Sequence, residues 1–303
     1  MRLPISRRDV LGAALAAPLV ILSERRAHAE PSKSARPERL VSLDLLITEL
    51  LVTLGEVPIA IANIPLYLRL VANPALPDSV EDLGPLNEPN LEFLQRLTPT
   101  RVLAADWQAP SLMPLTRIAP VLPIRVFPGK TPALEHCESL LSDMAELTGR
   151  QAAAKTAIAA TVAAVDTARS ALSGFARPVY ICRFNRDGRN IALFGGNGML
   201  GDVANRLNIR NAYKGRVNGA GVTNAPLSRL ADEPDAVIIH FDRGAETDVA
   251  LARLEESALW HALPAVREGR VQRMPVIYPN GGLRSAERFA TQIGTLLAKI
   301  SDG

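Results

Sequence analysis

Residues 150–172, RQAAAKTAIAATVAAVDTARSAL, run for 23 positions without a proline or a glycine and include ten alanines. Alanine is the strongest helix former and nothing in the run breaks a helix, so it predicts one continuous rod on the order of 35 Å long. Gly149 and the Ser173-Gly174 pair bound it. A rod of that length exceeds what one small α/β layer needs and suits a spine joining two.

Both flanks of the spine alternate between strand-like and helix-like patterns. On the N-terminal side, 39–43 alternates as a short strand, and Leu46, Leu50, Leu51 and Leu54 follow at helical spacing before Gly55. Ile59 to Ala62 gives a second strand; Pro89 sits where a helix would start, ahead of Leu91, Leu94 and Leu97; and 102–105 is an apolar strand. Such alternation predicts a parallel, doubly wound sheet covered on both faces. Thr131-Pro132 opens a helix carrying Leu134, Leu140, Leu141, Met144 and Leu147. Beyond the spine, strands are predicted at 179–182, 191–194, 236–240 and 271–274, with helices at 199–207 and 283–300. The expected organisation is an α/β protein: an N-terminal lobe over 37–131, a helical segment over 132–174 and a C-terminal lobe over 175–303.

Residues 1–29 read as an export signal outside this fold. They combine an arginine-bearing start, a twelve-residue apolar stretch at 11–22 and the small-x-small end Ala27-His28-Ala29, with cleavage expected after Ala29. The stretch is shorter than the roughly 20 residues a membrane span requires. Arg7 and Arg8 immediately ahead of it match the twin-arginine pattern, which places the mature chain in the periplasm. Five of the 34 basic residues and two of the 31 acidic ones lie in this segment, so the remainder holds as many acids as bases. That balance argues against a nucleic-acid partner. Cys137 and Cys182 fall in a predicted helix and a predicted strand of different halves, which favours two small buried side chains over a disulfide. With His136, His240 and His261 scattered, no cluster has metal-ligand spacing.

FGGNGMLGDV at 194–203 holds Gly196-x-Gly198-x-x-Gly201, the spacing of a dinucleotide-binding turn. A strand precedes it and a helix follows. However, 215–231 contains neither an acidic residue to hold a ribose nor a recognisable strand, and the turn sits on the second strand of its lobe. The glycines therefore read as a tight strand-to-helix turn, and no cofactor is expected. G-x-S-x-G, G-x-x-x-x-G-K-[ST] and H-E-x-x-H are absent from the sequence, which leaves an enzyme disfavoured.

RLVSLDLLITELLVTLGEVPIAIA, NEPNLEFLQRLTPTRVLA, FGGNGMLGDVANRLNIRNAY, LSRLADEPDAVIIH and LWHALPAVREGRVQRMP, taken in this order, resemble the periplasmic ferric-siderophore binding proteins, above all their hydroxamate-binding branch. The similarity runs from about residue 37 to the C-terminus. It implies two lobes on a rigid helix, a shallow cleft between them for an Fe(III)–siderophore complex, no covalently bound cofactor, and a monomer that delivers its ligand to an inner-membrane ABC permease.

Loops at the carboxyl ends of strands should line that cleft. They supply Trp107 and Gln108 after 102–105, Arg183 after 179–182, Asn197 after 191–194, and Phe241-Asp242 after 236–240. Tyr278 and Asn280 follow the last strand. A chelate with an anionic oxygen rim and hydrocarbon arms calls for apolar walls plus cations or donors. Trp107 is the first candidate for a wall. The resemblance adds Tyr278, where the family has a pocket tryptophan, and Tyr67, whose segment passes near the family's cleft. It also implies departures: the family's hydroxamate-clamping arginine is Leu86 here, one pocket aromatic is Ala220, and a tyrosine is Asn280. Arg69, Arg183 and Arg284 are the candidates to replace the lost cation. For permease docking the resemblance points to Glu92 on the first lobe. On the second the family's acid is Ser228, leaving Asp232 or Glu233 to substitute. Haem or a corrinoid is the alternative ligand, with His240 and Tyr278 as conceivable axial groups. An exported siderophore esterase is the alternative from another class.

Overall fold

The computed structural model describes residues 38–301; the expected export signal lies outside them. Strand β1 (Leu40–Ser42) enters α1 (Leu45–Thr53) through Asp44, whose carboxylate accepts hydrogen bonds from the amides of Leu46 at 2.8 Å and Ile47 at 3.3 Å. The chain continues through β2 (Ala60–Ile61), α2 (Ile64–Leu70), β3 (Glu81–Asp82), α3 (Leu91–Leu97), β4 (Arg101–Ala105), a 3₁₀ turn at Ala109–Arg117 and β5 (Val121–Ile124). These strands form one parallel sheet in the order β3-β2-β1-β4-β5, with Val41 beside both Ala60 and Val102. Alternate residues serve opposite faces: Leu40, Leu103 and Ala105 face the molecule's centre, while Val41, Val102 and Ala104 pack with Leu94 of α3 on the outside.

Two helices then follow back to back: α4 (Ala133–Thr148), ended by Gly149 in the left-handed conformation at φ 71°, and the long rod α5 (Gln151–Ala171). The second sheet comprises β6 (Val179–Phe184), β7 (Asn190–Phe194), β8 (Val222–Pro226), β9 (Val237–Asp242) and β10 (Val271–Pro275), in the order β10-β9-β6-β7-β8. Helix α6 (Met199–Arg206) joins β7 to β8. Helices α7 (Ala245–Glu255), α8 (Ala258–Ala262) and α9 (Pro264–Arg267) lie between β9 and β10, and α10 (Leu283–Ser301) closes the chain. No helix of the described residues is long and apolar enough to cross a membrane.

The second sheet is mixed rather than parallel. β10, β9 and β6 run parallel, but β6–β7 and β7–β8 are antiparallel. Five residues separate Phe184 from Asn190, enough for a hairpin and too few for a parallel crossover. The segment 215–231 does hold a strand, β8. It pairs antiparallel with β7, so the glycine turn does not open a βαβ unit.

Helices α1, α4, α5, α6 and α10 fill the centre, where side chains from both sheets join one core that includes Leu50, Leu103, Leu141, Val165, Ile239 and Phe289. Cys137 and Cys182 are free and buried in α4 and β6. Polar ties add direction to the apolar packing. Glu49 of α1 caps the start of α10, and Arg288 of α10 donates to the carbonyls of Val71 and Val276. Thr161 of α5 donates to Glu287 of α10 at 2.7 Å.

The glycine turn is a packing device. A Cβ on Gly198 would stand 2.5 Å from the Cα of Gly221, and one on Gly201 would enter the backbone of Gly195 and Gly196. The side chains are absent because β7, α6 and the loop before β8 approach one another at backbone distance.

Candidate functional site

At the inner edge of the second sheet a cleft of about 290 Å³ opens between that sheet and the end of α2. Its apolar surface comes from Leu70, Phe194, Val222 and Phe241, and its polar surface from Arg183, Asn224, Arg243, Tyr278 and Asn280. Residues of β6, β7 and β8 contribute because the hairpin turns its face to the cleft. β9 contributes through alternation: Ile239 and Phe241 point inward, Ile238 outward. Pro279 and Asn280 also border a narrower recess of about 20 Å³ beside Cys137 and Met199.

Arg183 and Arg243 share this wall. Burial, together with the neighbouring Arg243 charge, pushes the Arg183 guanidinium below its ordinary pKa. The Arg183 Nη2 reaches the neutral Asn185 Oδ1 at 3.5 Å. Arg243 pairs with Glu246 at 3.2 Å, yet its Nε is buried with no hydrogen-bond partner. A buried donor left unmet carries a desolvation cost. Glu246 uses its other oxygen for Arg69 of α2, at 3.3 Å, spanning from the second sheet's side to the first. Arg273 is occupied by Asp242 at 2.6 Å and Asp248 at 2.9 Å.

Of the residues expected from sequence, Arg183, Tyr278 and Asn280 are brought together on this cleft. Tyr278 is half-buried, and burial raises its hydroxyl's pKa. Arg69 stands at the mouth through its ion pair, next to the lining residue Leu70. Trp107 is 45% exposed in the turn after β4 and is not among the lining residues.

Four of the expected residues stand away from this cleft. Tyr67 is 0% exposed and donates its hydroxyl to the Pro74 carbonyl at 2.7 Å; it backs Tyr278 from within the core and does not form a wall itself. Gln108 is 1% exposed and braces three segments, accepting from the Ala105 amide and donating to the carbonyls of Leu43 and Leu86. Asn197 ties the glycine turn to the start of α4, its amide donating to the Lys130 carbonyl and its own carbonyl accepting from the Ala133 amide. Arg284 is held by Glu287 at 2.8 Å, on the face of α10 where Glu287 also meets Thr161 of α5.

His240 likewise faces away from the cleft. It is buried on the outward face of β9, its ring 4.9 Å from that of Phe184, which leaves it unable to ligate a haem in the cleft. Among the described residues no group of three or more His, Cys, Asp or Glu side chains could hold a metal ion. Glu92 is exposed in the first turn of α3, and Glu233 lies beyond β8, 3.9 Å from Lys214. Arg243, Glu246 and Asn224 were not found from sequence. Arg243 follows directly after Asp242, at the same strand end that yields Phe241, and Asn224 belongs to the unrecognised strand β8.

Comparison with known proteins agrees with this architecture. Residues 40–278 match the family model described as "Periplasmic binding protein". The iron(3+)-hydroxamate-binding protein FhuD of Escherichia coli strain K12 is 36% identical over 289 residues, covering 94% of each chain. The structure of FhuD from Vibrio cholerae with bound Fe3+–Desferal superposes with a TM-score of 0.79 at 28% identity, covering 87% of this chain and 99% of that one. FeuA of Bacillus subtilis, solved with ferri-bacillibactin, shares the fold at a TM-score of 0.70, 18% identity and coverage of 87% and 94%. Family-model coverage from the first strand to the cleft tyrosine, together with this similarity over nearly the whole chain, shows that the chain belongs to the periplasmic binding protein family.

Proposed function

We propose that this protein is a periplasmic receptor that binds one Fe(III)–siderophore complex in the cleft beside Arg183 and Arg243 and passes it to an ABC permease. The observation that carries the reading is the placement of Arg183, met by the neutral Asn185, together with Arg243 on a wall otherwise built from Phe194, Val222, Phe241 and Tyr278. A ferric chelate presents that combination in reverse: anionic oxygens around the metal and hydrocarbon arms outside them. The guanidinium groups would face the oxygens and the apolar wall would take the arms. Iron is the cargo, held by the siderophore and not by the protein.

The N-lobe arginine implied by the resemblance is Leu86, so the cation at this site moves to the second sheet. Arg69 serves as an outer contact through its place beside Glu246, and the exposed Trp107 as a further one. Glu92 and Glu233 serve as the acidic docking points for the permease, one on each sheet's side. The continuous central core and the ties from Glu49 and Arg288 to α10 favour a small closing motion over a wide hinge. The protein works as a monomer, and Arg7 and Arg8 send it out by the twin-arginine route.

The test is calorimetric titration of the purified exported protein with ferric hydroxamate, mixed citrate–hydroxamate and catecholate complexes. Saturable binding at one ligand per protein, with the chelate recovered intact, is the expected result. Fragmented siderophore would mean an esterase, and absence of binding across the panel would refute the siderophore assignment.

A further inference from the structure

One carboxylate at this site answers to two arginines from opposite sides of the cleft. Glu246 presents Oε1 to Arg69 at 3.3 Å and Oε2 to Arg243 at 3.2 Å. Arg183 stands nearby with only the neutral Asn185 at 3.5 Å, while the remaining neighbour, Arg273, is fully engaged by Asp242 and Asp248. Three guanidinium groups thus face a single acid, and one of their nitrogens, Arg243 Nε, is buried and unpartnered.

Resting on the siderophore reading above, we infer that the cleft selects ferric chelates carrying carboxylate groups and a net negative charge, and that Glu246 holds the place a ligand carboxylate takes between Arg69 and Arg243. A ferric trishydroxamate balances the three charges of iron and arrives neutral, which leaves the surplus guanidinium charge unanswered. A chelate built on citrate brings carboxylates beyond those that neutralise the metal. The planar fork of arginine matches a carboxylate two bonds at a time, and Glu246 shows that a carboxylate fits this position. A ferric triscatecholate is also anionic but carries no free carboxylate for the place Glu246 holds, so the arginine fork favours the citrate chelate. On entry of the ligand, its carboxylate replaces Glu246 on Arg243.

Calorimetry of the intact exported protein against two probes tests this: a ferric dihydroxamate–citrate chelate and a ferric trishydroxamate, each at low and high salt. The citrate chelate should bind about tenfold tighter or better and lose affinity with added salt. Arg183→Gln and Arg243→Gln should weaken both chelates, the citrate chelate by about tenfold more than the neutral one. Glu246→Gln should tighten the citrate chelate several-fold more than the neutral one. Arg243→Lys, which keeps the charge and loses the fork, should fall between wild type and Arg243→Gln, and unfolding temperatures confirm that each variant is folded. Equal or tighter binding of the neutral chelate, with the arginine variants affecting both probes alike, overturns the charge selectivity and leaves the receptor reading standing. No binding of any ferric chelate removes both.

Discussion

Glu49 and Ser285, 236 positions apart, are joined twice: the Ser285 amide donates to Oε1 at 2.8 Å and its hydroxyl to Oε2 at 2.7 Å. The same carboxylate accepts from the Gly282 amide at 3.0 Å, so one side chain of α1 meets the otherwise unpaired donors at the start of α10. Burial raises the Glu49 pKa, and the three donors with nearby Arg288 oppose that rise. Glu49→Ala removes the acceptor and strands these donors in a dry interface. It should cost about 2–4 kcal/mol in denaturant unfolding, against about 1 kcal/mol for Ser285→Ala, which removes one donor. Similar losses in the two variants would mean that Glu49 is not the keystone of this junction.

The glycine turn makes a sharper contrast. Gly198→Ala places a methyl 2.5 Å from the Gly221 Cα, and Gly201→Ala drives one into the Gly195 backbone. Neither obstacle is a flexible side-chain end, so backbone must shift, and each variant should lose about 2–4 kcal/mol of stability. Gly174→Ala has open space around the new methyl and should lie within about 0.5 kcal/mol of wild type. Unaltered unfolding midpoints in Gly198→Ala and Gly201→Ala would return the turn to the class of exposed, ligand-cradling loops.

How far the sequence disclosed this arrangement depended on the kind of signal each residue carried. The rod at Gln151–Ala171 was legible because propensity and the absence of breakers act locally. Arg183, Tyr278 and Asn280 were legible because strand ends face the cleft in open α/β sheets. Gln108 stands at an equally good strand end but turns inward to the carbonyls of Leu43 and Leu86, a long-range choice with no local signature. Arg284 is paired with Glu287, three residues on, a spacing visible in the chain. The antiparallel β6–β7 pair escaped because both strands run past the ends read from sequence, 182 and 191, and leave only five residues between them; missing it hid β8 and with it Asn224.

Two buried groups should give opposite pH dependences. Desolvation raises Asp44 from 3.8 to about 6, chiefly because it is buried at the head of α1. Its folded pKa lies above its unfolded one, so its contribution is fully present below about pH 4 and is lost as the pH rises through about 6. His240 is lowered from 6.5 to about 4, first by burial and then by the Arg273 charge. Its contribution is present above about pH 6.5 and is lost as the pH falls through about 4. Relative to wild type, Asp44→Asn, which keeps a helix cap, should gain stability progressively from pH 4 to pH 6, by about 2–3 kcal/mol at the top. His240→Gln should show a relative gain that grows as the pH drops from 6.5 to 4. Glu49, also raised by burial, is common to all three proteins and cancels in the differences. Parallel stability–pH curves for the three would refute both assignments.

The export route is the last expectation that can be put to a direct trial. Arg7 and Arg8 precede the apolar stretch 11–22, and Ala27-His28-Ala29 offers the cleavage site. In cells the periplasmic form should begin at Glu30, read by N-terminal sequencing or intact mass. Replacing both arginines by lysine preserves the positive charge that any secretory signal needs and removes only the paired guanidinium groups. A twin-arginine signal therefore predicts that Arg7→Lys/Arg8→Lys holds the uncleaved chain inside the cell, with its ferric-chelate binding intact after purification. If the doubly substituted chain is cleaved and exported at the wild-type rate, the arginines act only as generic positive charge and the general secretory path carries the protein.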